Sequence, residues 1–148
     1  MDTSRIFEMA TDFRAAIESI PFEERPYSMQ SFPNCSCGDT SRLFGAFLVD
    51  CAIPGFQFIS GERGSKAGNT WASHAWLQHN DLVVDLTADQ FSDAPSGVIV
   101  SAPSPWHEQF QTETGTDPDF RQSSDYGAEL LYSIYEKVLR SIQQKNRA

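Results

Sequence analysis

The segment from Trp71 to Thr87 constrains this chain more than any other. It reads as two short apolar-rich strands joined by the polar residues Gln78-His79-Asn80-Asp81, the pattern of a β-hairpin. Register decides what such a hairpin can do. A two-residue turn at His79-Asn80 sets His74 directly opposite Asp85, and directly opposed residues share a face with Cβ atoms about 4.5–5.5 Å apart. A turn at Asn80-Asp81 sets His74 opposite Thr87 and leaves Asp85 a diagonal neighbour on the same face. A three-residue loop sends the two side chains to opposite faces. In the first two registers the imidazole and carboxylate can hydrogen-bond, which fixes the ring tautomer and stabilises the imidazolium.

An oriented imidazole needs a group to act on, and one stands upstream. The run Phe32-Pro-Asn-Cys35-Ser-Cys37-Gly-Asp39-Thr-Ser-Arg-Leu-Phe-Gly-Ala-Phe-Leu places a cysteine just ahead of an amphipathic helical pattern. A thiol at a helix N-terminus feels the positive end of the helix dipole, which favours the thiolate. Cysteine, then histidine, then aspartate is one of the orders in which nucleophile, base and orienting acid occur.

The 148 residues are expected to form one domain, 1–148, and the 40% hydrophobic content with eleven phenylalanines supplies a core without disulfide staples. A formal charge of −9 repels phosphate backbones and anionic lipid, so no nucleic-acid partner is expected. No apolar run approaches the roughly 18 residues of a membrane span, and the N-terminal residues have no signal-peptide core. Three cysteines cannot all pair within one chain. The expectation is a cytoplasmic protein with free thiols and no membrane partner. Nothing in the composition bears on oligomeric state.

Along the chain, Asp2 or Thr3 can cap a first helix with Ile6, Met9, Phe13, Ile17 and Ile20 at helical spacing, ended by Pro21. Pro21 to Pro33 reads as extended. A second helix is predicted over about 38–51, with Leu43, Phe44, Phe47, Leu48 and Cys51 facing inward. A strand is predicted from Phe56 to Ser60, and Gly61 to Asn69, rich in glycine, reads as a mobile polar loop. Val98 to Val100 suggests a further strand, Trp106 to Asp119 is irregular, and a last helix is predicted over 123–143 with Leu130, Leu131, Ile134, Val138 and Ile142 inward. Helices, then strands, then a helix point to an α+β fold with an antiparallel sheet.

Cys-Gly-Asp-Thr-Ser opening a helix, Ser-His74-Ala-Trp76, and Val-Asp85-Leu-Thr87 together resemble the core of the transglutaminase-like group of papain-fold cysteine enzymes. The resemblance covers roughly residues 30–91 and is similar to the compact bacterial members, including the cysteine-protease subunits that process lasso-peptide precursors. It implies a papain/transglutaminase-like fold, with N-terminal helices packed on a small antiparallel sheet and a C-terminal helix. It further implies Cys37 as nucleophile, His74 as general base and Asp85 as orienter, acting on an amide of a peptide or protein through a thioester. Papain-like enzymes place an oxyanion-binding glutamine shortly before the cysteine, and Gln30 is the available candidate; the Cys37 backbone N–H is a second donor.

Each of these residues has an ordinary reading beside the chemical one. Cys35 is a rival thiol, but Cys37 directly precedes Gly38, which lets backbone approach a substrate. Cys35 and Cys37 could instead form a Cys-x-Cys redox or metal pair, although scattered histidines do not supply the paired ligand clusters of structural zinc. No metal and no cofactor is expected. Cys51 reads as a small core residue. Trp76 is either core or a wall of the pocket, His79 a solvated turn residue, and His107 a loop residue without a visible partner. Asp39 and Asp89 suit helix-start and turn roles. The leading expectation is a cysteine hydrolase or acyltransferase, with proteolysis, deamidation and transamidation all open. A non-catalytic binding or immunity module on the same fold is the alternative.

Overall fold

The computed structural model describes residues 1–122 and 128–147. Helix α1 (Thr3–Ser19) starts where the Asp2 carboxylate accepts from the Arg5 backbone N–H, a side-chain cap of an otherwise orphan donor. Its apolar spacing buries Ile6, Ala10, Phe13, Ala16 and Ile17. After single 3₁₀ turns at Phe22–Glu24 and Tyr27–Met29, helix α2 (Cys37–Asp50) begins at Cys37 itself and buries Leu43, Phe44 and Leu48. Phe47 is partly buried, and Cys51 is the half-buried C-cap.

The strands are β1 (Gln57–Arg63), β2 (Ala72–His79), β3 (Leu82–Asp85), β4 (Ile99–Ser101) and β5 (Gln111–Thr112). They form one sheet in the order β4-β3-β2-β1-β5, with every neighbouring pair antiparallel. A one-turn helix α3 (Pro105–Glu108) separates β4 from β5, and α4 (Ala128–Arg147) closes the chain. This is the α+β class expected, with an all-antiparallel sheet.

Period-two alternation splits the strands between two apolar clusters. Leu77, Leu82, Val84 and Leu86 join α1, α2 and α4 in the larger one. Trp76 and Val83 join Ala88, Ile99, Trp106 and Phe110 in the smaller one. Arg121 ties the helical layer together: it donates to both oxygens of Asp50 at the end of α2 and to the buried Asp119. The Tyr135 hydroxyl of α4 donates to the same Asp50 at 2.6 Å.

Several predicted boundaries move. β1 runs on through Gly61-Glu62-Arg63, which the sequence assigned to a loop. Gly61 is tolerated there because a Cβ would stand 2.9 Å from the Gln111 carbonyl oxygen of β5; the edge strand needs a residue without one. The stretch 106–119 holds α3 and β5 rather than being wholly irregular. In α4, Leu131, Ile134 and Val138 are buried as predicted, but Leu130 is 59% exposed. Residues 123–127 of the predicted last helix lie outside the described residues.

Candidate active site

The β2–β3 register settles which turn is used. Leu77 pairs with Val84 and His79 with Leu82, so Asn80-Asp81 is the turn, with Asn80 at φ 54°. Asparagine tolerates this left-handed conformation, which two-residue hairpin turns demand. By the same register Asp85 lies diagonally from His74 on its face, two positions along from the residue directly opposite. The separation is bridged by the side chains: His74 Nε2 and Asp85 Oδ2 stand 2.7 Å apart, both groups fully buried.

The imidazole sits in an aromatic box, with Trp76, Phe91, Trp106 and Phe110 rings 5.1–6.0 Å from it. This box fixes the ring plane. Its other nitrogen, Nδ1, is 3.0 Å from Gln90 Nε2. Gln90 ends the 3₁₀ turn Ala88–Gln90, which follows directly after β3 and Thr87.

Cys37 stands at the first turn of α2, behind the buried Ser36. The Ser41 hydroxyl lies 3.4 Å from the Ala75 carbonyl, joining the start of α2 to β2 beside His74. A Cβ added at Gly38 would meet nothing within 4 Å, so the backbone beside the thiol is open. Cys37 and His74 line one cleft of about 440 Å³, walled by Ser60-Gly61-Glu62 of β1 and by Gln111-Thr112-Glu113.

Electrostatics pull the two groups in opposite directions. Burial alone would push the Cys37 thiol up, but the hydrogen bond and charge of His74, the Ala75 backbone N–H and the Gln90 amide bring it below its ordinary value. Burial would push His74 down, yet the hydrogen bonds to Asp85 and Cys37 raise it to about 9. Asp85 is buried, which disfavours its charge, but N–H donors from His107 and His74 hold its carboxyl below the usual carboxylate range.

His107 is the unexpected member. Read from sequence as a loop residue without a partner, it is buried on α3 with Nε2 2.7 Å from the same Asp85 Oδ2. The Ser104 Oγ lies 2.6 Å from its Nδ1, and the Thr87 N–H donates to Asp85 Oδ1 at 2.9 Å.

The other predicted site residues fall elsewhere. Gln30 follows the second 3₁₀ turn with its amide 3.5 Å from the Phe22 carbonyl and is not among the residues lining the cleft. The glutamine beside His74 is Gln90, its Nε2 3.0 Å from Nδ1. No motif marks it; its only signal is a glutamine in the turn following the acidic strand. Cys35 is exposed, at φ 59°, and does not line the cleft. Trp76 is core, buried and donating to Gln78 at 2.9 Å, and it borders a separate cavity of about 200 Å³ next to His107 rather than the Cys37 cleft. His79 is not a solvated turn residue: it ends β2, half-buried against Phe56, with Nδ1 buried and without a hydrogen-bond partner among the described residues. Asp89 lies in the 3₁₀ turn Ala88–Gln90, the turn role expected of it, and pairs with Arg14 at 2.8 Å.

His74, Asp85 and His107 also present one ligand atom each within 4.8 Å of one another. Their spacing is that of hydrogen bonds rather than of metal ligands. Both imidazole nitrogens approach a single carboxylate oxygen to 2.7 Å, whereas donors around a tetrahedral ion at 2.0–2.1 Å stand about 3.3 Å apart. No helix among the described residues is long and apolar enough to cross a membrane. Comparison with family models, with curated proteins and with solved structures finds no match to this chain.

Proposed function

We propose that the chain is a papain/transglutaminase-like cysteine enzyme, a hydrolase or acyltransferase acting on an amide of a peptide or protein through Cys37, His74 and Asp85. One observation carries the reading: Cys37 and His74 line one cleft, and His74 is held from behind by the buried Asp85 at 2.7 Å. A lowered thiol beside an imidazole raised to about 9 favours the thiolate–imidazolium pair, the nucleophilic form of the dyad.

The reaction follows from that pair. The Cys37 sulfur attacks the amide carbon, forming a C–S bond and an oxyanion. In this reading the Gln90 amide, 3.0 Å from His74 Nδ1, and the backbone N–H at the start of α2 stabilise that charge. The imidazolium gives its proton to the departing nitrogen as the C–N bond breaks, leaving a thioester and a neutral imidazole. Water then attacks the thioester while His74 takes its proton, releasing acid and thiol; an amine in place of water yields a new amide. Asp85 keeps the Nε2–H of His74 pointed inward throughout, so Nδ1 is the atom that exchanges protons.

Incubation with p-nitrophenyl acetate tests this without a known substrate. The expected result is a burst of nitrophenol and an acetyl group on Cys37 alone, located by mass spectrometry and lost on standing. His74→Ala should suppress the burst at least tenfold, and Cys37→Ser should remove the adduct. No acylation of Cys37, or acylation indifferent to His74, would favour the binding-module alternative.

A further inference from the structure

We propose that His107 is a positioning residue, the second histidine of a buried relay Ser104–His107–Asp85–His74 that holds Asp85 ionised and so extends the active pH range downward. The inference rests on the catalytic reading of Cys37, His74 and Asp85.

The geometry fixes the direction of each proton. Asp85 Oδ2 has His74 Nε2 and His107 Nε2 both at 2.7 Å, and its Oδ1 takes the Thr87 N–H at 2.9 Å. An ionised carboxylate only accepts, so both imidazoles must present Nε2–H to it. His107 then has a bare Nδ1 when neutral, and the Ser104 hydroxyl at 2.6 Å donates there. Ser104 thus fixes the tautomer of His107 as Asp85 fixes that of His74. The helix that makes this possible is one turn long and starts at Pro105; the backbone N–H of His107 bonds back to the Ser104 carbonyl at 3.1 Å, holding the hydroxyl and the ring on one side.

The electrostatic need is plain. Asp85 is 1% exposed, and a carboxylate that far from water reverts to its neutral acid unless donors replace the lost hydration. Neutral Asp85 could not stabilise the His74 imidazolium, and the Cys37 thiolate would be lost with it. The other charged groups near the relay do not substitute for His107. Asp81 and Glu108 border the cavity beyond it and carry the wrong sign to hold Asp85 ionised. Arg63 of β1 lies over the Trp106 and Phe110 rings but is paired with Asp93 at 2.8 Å. Cys37 of α2 acts on Asp85 only through His74.

The test is the pH dependence of Cys37 alkylation by limiting iodoacetamide, read by mass spectrometry in the full chain. His107→Leu removes the donor and should move the acid limb of the profile upward by about one pH unit, the effect of losing one charge-assisted hydrogen bond. Ser104→Ala should move it in the same direction by less. His107→Gln keeps an amide N–H near the position of Nε2 and should restore the wild-type limb. A purely structural role predicts altered folding or amplitude with an unmoved limb. A limb unmoved in both His107→Leu and Ser104→Ala overturns the proposal, as does a limb moved equally by His107→Gln. If His107→Leu does not fold, a limb moved by Ser104→Ala and kept by His107→Gln supports it, and any other pattern sinks it. A wild-type profile with no activated Cys37 would instead reject the catalytic reading beneath it.

Discussion

The thiolate–imidazolium pairing proposed for Cys37 and His74 has a measurable consequence for stability. His74, raised from 6.5 to about 9, taken alone contributes stability that is full below about pH 6.5 and lost as pH rises through about 9. Cys37, lowered from 9.0, taken alone contributes stability present above pH 9 and lost as pH falls through its folded value. Between the folded value of Cys37 and about pH 9, a thiolate–imidazolium pair carries its one proton on His74, whereas above pH 6.5 the unfolded chain carries it on Cys37. The two slopes cancel. Cys37→Ala leaves His74 raised by Asp85 without the thiol, so its unfolding free energy should fall as pH rises from 6.5 toward the folded value of His74, by up to about 1.4 kcal/mol per unit. Wild-type stability over that interval should stay nearly flat. Urea unfolding of both proteins at three pH values checks this; parallel slopes would mean that no ion pair forms.

At the scale of elements, α2 carries the thiol and must seat its N-terminus against β2. Gly45 on its inner face is pressed so closely that a Cβ would stand 2.0 Å from the Pro118 carbonyl oxygen. Backbone cannot yield there as a side-chain tip could. Gly45→Ala should therefore cost about 1–3 kcal/mol in urea unfolding despite the better helix propensity of alanine. A stabilised variant would mean that the 118 segment packs elsewhere. Such contacts mark what the sequence could and could not carry. The hairpin, the three long amphipathic helices and the pairing of His74 with Asp85 were legible because they depend on local periodicity and on turn chemistry near Asn80. His107 and Gln90 were not. Each reaches the site from a single helical turn too short for periodicity, and their partners lie 22 and 16 residues away in the chain. Gln30 matched an order of residues without matching a place in space. β1 was cut short because a glycine required by a neighbouring strand looks, in sequence alone, like a glycine required by a loop.

Across the whole molecule, the sheet buries His74 and Asp85 on the face of the smaller, aromatic cluster, while the helical layer brings the Cys37 end of α2 to the cleft. The three cysteines sample three environments within this arrangement. Cys35 is exposed on the loop before α2, Cys37 is half-buried at its start, and Cys51 caps its far end, where burial raises the thiol. Position in the fold, rather than exposure, should decide their reactivity. Limiting iodoacetamide between about pH 5 and 8, with each cysteine read separately by mass spectrometry in wild type and His74→Ala, tests that claim most directly. The account predicts that Cys37 labels fastest although Cys35 is more exposed, keeps its rate to about pH 6, and slows at least tenfold at that pH without His74. Labelling that follows exposure, with Cys35 fastest and Cys37 indifferent to His74, would contradict it.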